Sequence, residues 1–276
     1  MRWTHPLAAL VLLLAVPSAP TFAPGFGLAY AEGVNVGKPS AMRNLVPAKQ
    51  VEGQAAQQYE ALLQQAASKR ALALENNPQL KRLRDIAARL IPFAERFNPR
   101  AREWQWEINL IGSKQINAFC MPGGKIAFFS GIIDQLQLTD DEVAMVMGHE
   151  IAHALREHAR ERMAKAGLTQ LGAGILGQLV GGGQYAGAFR MGGDLLTLKF
   201  SRSDETEADV VGLDLAARAG YDPRAGISLW RKMDEANKGG QLEFLSTHPA
   251  GDTRIHEIER QLPAVMPIYQ KQTGKR

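Results

Sequence analysis

Apolar positions along the chain change period several times, and each change marks an element. From about 52 to 97 the period is helical. Ala55, Tyr59, Leu62 and Leu63 share one face, and Leu83, Ile86, Ala87, Leu90 and Ile91 share another, with Asn76-Asn77-Pro78 as the break between two helices. Residues 103–110 alternate polar and apolar, the pattern of a half-buried strand. Residues 116–120 and 125–130 flank Pro122-Gly123-Gly124 and read as a hairpin or a turn-joined pair. A helix then opens at Thr139, where Thr139 and Glu142 form a capping box. Asp140, Asp141 and Glu142 near its start, and Arg156, Arg160, Arg162 and Lys165 toward its end, suit the helix dipole. Val143, Val146, Met147, Ile151, Ala152 and Leu155 give it apolar surface to bury. Further helices are predicted over about 203–219, 223–237 and 252–262, with Pro223 at the first position of the second. The class is α+β, mostly helical, with a small sheet.

Two stretches break the periodicity. Residues 32–50 hold Gly, Pro, Ser and Asn without a repeat and are expected to be flexible. Residues 167–193 are apolar but rich in glycine, including Gly181-Gly182-Gly183; the stretch is too short for two membrane spans and reads as a mobile helix and loop. Residues 51–265 then form one domain and 266–276 a C-terminal tail.

Composition narrows the setting. The 276 residues suffice for one domain with a full core. A net charge of +4 without a run of Lys or Arg argues against nucleic acid as a partner. Arg2, the apolar run Leu7–Val16 and Ala29-Tyr30-Ala31 have the order of a signal peptide over 1–31, with Glu32 as the mature start and an uncleaved anchor as the alternative. The expected location is the periplasm; association with a membrane surface and the oligomeric state stay open. Cys120 is the single cysteine, so there is neither an intramolecular disulfide nor a lipid-attachment cysteine at the processing site, and its apolar neighbours predict burial.

The chemistry concentrates in His149-Glu150-Ile151-Ala152-His153, an H-E-x-x-H motif on the capped helix. Positions i and i+4 share a helix face, so His149 and His153 can hold one metal, and imidazole suits zinc. Glu150 can reach a water at the open coordination position as general base. The chain has Arg156 and Ala159 where the long metzincin signature needs Gly and His. His158, about 140° around a continuous helix from His153, reads as a surface histidine. Downstream, Glu205 and Asp209 are again i and i+4: one can bind the metal while the other orients a ligand imidazole. Glu207 points about 200° away from Glu205.

Four segments then resemble one family in its own order: Asn117-Ala118-Phe119 through Pro122-Gly123-Gly124, the H-E-x-x-H, Ser201-Arg202 with Glu205, Glu207, Ala208 and Asp209, and Thr247-His248-Pro249 with Arg254-Ile255. They are similar to the HtpX and CAAX-prenyl-protease family of zinc endopeptidases, closest to its small secreted and OMA-type members. The resemblance implies a zincin-like domain with one Zn²⁺ per chain and selects Glu205 as third ligand. It also implies hydrolysis of unfolded or flexible envelope proteins in quality control. Asn117, Ala118 and Phe119 would lie on a strand that pairs with extended substrate. His248 would donate to the oxyanion or act as a latent fourth ligand, and a packed loop histidine is the remaining reading. A zinc-containing periplasmic chaperone or scaffold with little proteolysis is the alternative function.

Overall fold

A computed structural model describes residues 33–180, 195–238, 242–248 and 252–275. Helices α1 (Ala48–Ser68) and α2 (Pro78–Leu90) open the chain, and Asn77 caps α2 by accepting from Gln79 and Leu80 N–H. Strands β1 (Glu107–Ile111), β2 (Ala118–Met121) and β3 (Lys125–Phe129) follow. Their order is β1-β3-β2, with β1 parallel to β3 and β2 antiparallel to it. The tight turn from β2 into β3 needs φ of 86° at Gly123 and 81° at Gly124, which glycine adopts without strain. Then come α3 (Ser130–Leu136), α4 (Asp140–Leu155) and α5 (His158–Val180), and after them α6 (Arg202–Arg218), α7 (Ala225–Asn237), α8 (Glu243–Thr247) and α9 (Asp252–Thr273).

Helix α4 runs through the middle. Every residue from Glu142 to Leu155 is buried, because β2, α2, α6 and α7 surround it. Helix α6 crosses it where two glycines meet. A Cβ on Gly212 would stand 2.9 Å from the His149 nitrogen, and one on Gly148 would stand 3.0 Å from the Gly212 oxygen. Helix α9 packs on the far side of α6.

Several boundaries differ from the sequence expectation. The strand over 103–110 shortens to β1, because Pro99–Glu103 winds into a 3₁₀ helix capped by Asn98. Trp104 and Trp106 stack at 5.3 Å and cover the core edge, so their alternation reflects packing rather than pairing. Residues 33–37 form a strap: Val34 N–H donates to the buried Asp214 carboxylate at 3.1 Å, and Arg156 donates to the Gly37 carbonyl at 3.1 Å. A 3₁₀ helix follows at Ala41–Leu45. Pro223 precedes α7 rather than opening it. Residues 266–273 continue α9, with Tyr269 buried, since the apolar stripe outlasts position 262. Residues 1–32, 181–194 and Pro249, which carry the signal-peptide expectation, the glycine triplet and the end of the Thr247-His248-Pro249 segment, lie outside the described residues. No helix among the described residues is long and apolar enough to cross a membrane.

Candidate metal centre

The two elements that meet at the glycine crossing carry the site. Thr139 and Glu142 cap α4 reciprocally, and Ser201 and Asp204 do the same for α6. These caps fix where each helix begins and therefore which residues stand at the crossing. His149, Glu150 and His153 come from α4, Glu205 and Asp209 from α6, and all five are nearly inaccessible to solvent.

The ligand atoms converge. Nε2 of His149 lies 3.1 Å from Nε2 of His153, and each lies 3.5 Å from a Glu205 carboxylate oxygen. The Glu205 oxygen nearest His149 is Oε2 and the one nearest His153 is Oε1. Atoms bound about 2.0–2.1 Å from one tetrahedral zinc sit roughly 3.3 Å apart, so these separations are close to those of donors that share one zinc ion. His248 completes a set of four residues whose ligand atoms all fall within 4.8 Å of one another. Glu150 Oε1, Glu205 Oε1 and His248 Nε2 are buried and have no hydrogen-bond partner. Buried polar atoms without partners are rare, and three of them facing one point mark a place built for a cation and its reactants. The residues fit zinc.

Beside this set, Asp209, one turn along α6 from Glu205, places Oδ1 3.0 Å from His149 Nδ1. Sequence reasoning missed Arg254 of α9, named only as part of a motif. Its guanidinium grips Asp209 at 2.6 Å through both Nε and Nη2, donates to Glu205 Oε2 at 2.7 Å, and lies 3.6 Å over the Trp230 ring. Arg254 therefore turns Glu205 so that Oε1 stays free. The placement of His158 is also a correction. Helix α4 ends at Leu155 and Glu157 takes φ of 59°, so the chain turns out of α4 instead of continuing its helical wheel. His158 is consequently buried, with Nδ1 3.0 Å from His153 Nδ1 and Nε2 2.9 Å from Glu207. Glu207 does face away from the three ligands, as its angle on α6 predicts.

Electrostatics follow from burial and this wiring in the metal-free protein. Burial, with Glu205 adding, raises the Glu150 carboxyl to about 8 against the pull of His149 and Arg254. Burial depresses His149, yet the Asp209 and Glu205 carboxylates outweigh it and hold the imidazole at about 9. Burial raises Asp209, but Arg254 and His149 outweigh it and leave it at about 2. His153 and His248 are pushed well down by burial, then by the neighbouring cations.

Strand β2 lies against α4 with β3 on one side only among the described residues, so its outer backbone edge runs beside Glu150. The Cys120 backbone N–H donates to the Glu150 carboxylate. Cys120 is buried, as expected, and burial pushes its thiol up. Ala118 is buried and Phe119 half-buried against Tyr59 and Phe129; Asn117 accepts from Phe129 N–H and ties the strand's start to β3. His248 follows α8 with its ring stacked on Phe244 at 4.4 Å and its Nε2 3.6 Å from Glu150 Oε1.

Known proteins match this arrangement. Mitochondrial metalloendopeptidase OMA1 of Saccharomyces cerevisiae is 37% identical over 175 residues, 60% of this chain and 50% of the relative. Metalloprotease LoiP of Escherichia coli is 29% identical over 204 residues, 73% of this chain and 77% of its own length. The Beta-barrel assembly-enhancing protease of Yersinia pestis is 29% identical over 171 residues, 57% of this chain and 35% of that protein. The chain thus spans about half the length of the yeast relative. The profile of Peptidase family M48 matches residues 77–262, which include both histidines, Glu150, Glu205, Asp209, His248 and Arg254. With a mostly helical zincin-like fold and a site that fits zinc, the chain belongs to Peptidase family M48.

Proposed function

We propose that this chain is a zinc-dependent endopeptidase that cuts unfolded or extended protein segments, with His149, His153 and Glu205 as metal ligands and Glu150 as general base. The observation that carries the reading is the convergence of the His149 and His153 Nε2 atoms on the Glu205 carboxylate, with the free Glu150 Oε1 buried in the same centre. A zinc ion there supplies Lewis acidity, which polarises the scissile carbonyl and makes water nucleophilic near neutral pH. Glu150 takes the proton of the attacking water at Oε1 and returns it to the leaving amine nitrogen. Asp209 keeps the His149 proton on Nδ1, which leaves Nε2 free for the metal. The outer edge of β2, from Asn117 to Phe119, offers backbone groups to a substrate in extended form, and such pairing reads main chain more than side chain.

The setting follows the N-terminal sequence. Residues 1–31 would deliver residues 32–276 across the inner membrane to the periplasm, the peptidase domain being 51–265 together with the rest of α9. The name of the Yersinia relative ties that protein to β-barrel assembly, and unfolded envelope proteins are the corresponding substrates here. A chaperone with little proteolysis has no use for a buried carboxylate at this position.

The test is Glu150→Gln. The amide cannot accept the water's proton, so cleavage of a disordered substrate such as casein should fall by more than about 100-fold, within the range of a lost general base. Zinc content, measured by elemental analysis, should stay near one per chain. A variant that cleaves casein at the wild-type rate would refute the assignment of the base, and a zinc-free wild type would refute the metal site.

A further inference from the structure

Zinc bound through Nε2 of a neutral histidine leaves a proton on Nδ1, and the partner of that proton fixes the tautomer and the plane of the ring. For His149 the partner is Asp209. For His153 it is another imidazole: His158 Nδ1 stands 3.0 Å from His153 Nδ1, in a place where His158 is only 1% exposed. Two ring nitrogens at that distance share one proton. His153 must keep it if Nε2 is to face the metal, so His158 Nδ1 is the acceptor and its own proton sits on Nε2. That nitrogen lies 2.9 Å from a Glu207 carboxylate oxygen, the acceptor such a tautomer needs. Glu207 is ion-paired with Arg156, which also donates to the Val36 and Gly37 carbonyls of the strap. Phe200 closes the pocket, 4.0 Å from the His153 ring and 6.2 Å from the His158 ring.

Resting on the reading of His149, His153 and Glu205 as zinc ligands, we propose that His158 is a positioning residue: it relays the hydrogen bond of His153 to Glu207 and so prepares the second zinc histidine, as Asp209 prepares the first. Helix α6 then supplies a ligand, Glu205, and a carboxylate anchor for each zinc histidine, Asp209 directly and Glu207 through His158. The left-handed turn at Glu157, between α4 and α5, is what brings His158 within reach of both.

The experiment is a zinc-affinity comparison on the full chain by competition with a chromophoric chelator, joined to the visible absorption of the Co²⁺-substituted protein. Four proteins are compared: wild type, His158→Phe, His158→Gln and His153→Ala. Phenylalanine keeps the volume beside Phe200 but accepts nothing from His153. It should weaken zinc binding about 10–100-fold, the usual loss for an orienting partner, and alter the cobalt spectrum. Glutamine offers an oxygen to His153 and an N–H to Glu207, and should bind zinc within about threefold of wild type. His158→Phe within about twofold of wild type, or His158→Gln as weak as His158→Phe, would overturn the relay. Should His158→Phe lose its melting transition, His158→Gln decides alone: near wild-type affinity supports the proposal and a loss beyond about tenfold ends it. Wild-type affinity in His153→Ala would remove the zinc-site reading itself; loss there with full retention in His158→Phe removes the relay only.

Discussion

Gly212→Ala tests whether the crossing of α4 and α6 sets the metal geometry. The added Cβ would stand 2.9 Å from the His149 nitrogen, 3.1 Å from the Gly148 carbonyl carbon and 3.2 Å from the His149 Cα. These are backbone atoms in the middle of a buried helix and cannot swing aside. Ordinary contact needs about 3.5 Å, so the helices must part by roughly 0.6 Å. Glu205 rides on α6 and both histidines on α4, and zinc tolerates errors of only about 0.2 Å in ligand distance. Zinc affinity should therefore fall at least about tenfold, with casein cleavage falling alongside. Global stability should change much less. Overpacking costs about 1–3 kcal/mol, while removing a mid-helix glycine returns up to about 1 kcal/mol. A net loss of about 0–3 kcal/mol lowers the melting temperature of a domain this size by no more than about 12 °C. Chelator competition and a thermal melt of the metal-free protein read the two effects separately. Wild-type zinc affinity in Gly212→Ala would refute the claim that this contact positions the ligands.

Three further outcomes are expected. Arg254→Met leaves Asp209 buried without its cation and should cost the metal-free protein about 3–5 kcal/mol in urea denaturation near neutral pH. Because Asp209 is held at about 2 in the folded protein, its contribution is complete above its unfolded pKa and fades as pH falls through that value; the gap between wild type and variant should close toward pH 2, and a gap independent of pH would refute the pairing. His248→Ala should lower turnover if His248 Nε2 donates to the oxyanion, and raise basal turnover if that nitrogen caps the metal at rest; a rate within about twofold of wild type, under about 0.5 kcal/mol on the barrier, would assign the residue to packing on Phe244 alone. Zinc binding at pH 7 should release about two protons, read by calorimetry in buffers of different ionisation enthalpy, and release of none would contradict the protonation of Glu150 and His149 in the metal-free site.

What the sequence made legible was whatever lies within one helical turn. The i, i+4 spacing placed His149 with His153 and Glu205 with Asp209, and the capping box at Thr139 placed the start of α4. The hairpin at β2 and β3 was marked by its glycines. Three features escaped because they depend on where the chain goes between elements. His158 was assigned by continuing a helix that stops at Leu155, and only the left-handed turn at Glu157 reveals the break. Arg254 comes from a helix about a hundred residues downstream of His149, and a lone arginine carries no periodic signal; its place in a short motif was the one available hint. The strap at 33–37 lacks periodicity because its backbone, rather than its side chains, makes the contacts with Asp214 and Arg156.

Of these, Arg254 belongs to a charge balance at the centre. The buried centre holds three carboxylates, Glu150, Glu205 and Asp209, and one permanent cation, Arg254. A zinc dication brings that set to neutrality, which a water-poor interior requires, since isolated buried charge is costly. Without the metal the set carries two uncompensated negative charges, and the centre recovers them as protons: His149 titrates at about 9 and Glu150 at about 8, so both are protonated at neutral pH. Arg254 has a part in this that no second carboxylate partner could take. By neutralising Asp209 and orienting Glu205, it leaves Glu150 as the one carboxylate whose proton is free to move. A general base needs that freedom, and the residue that grants it sits on α9, outside the motif that first identified the chemistry.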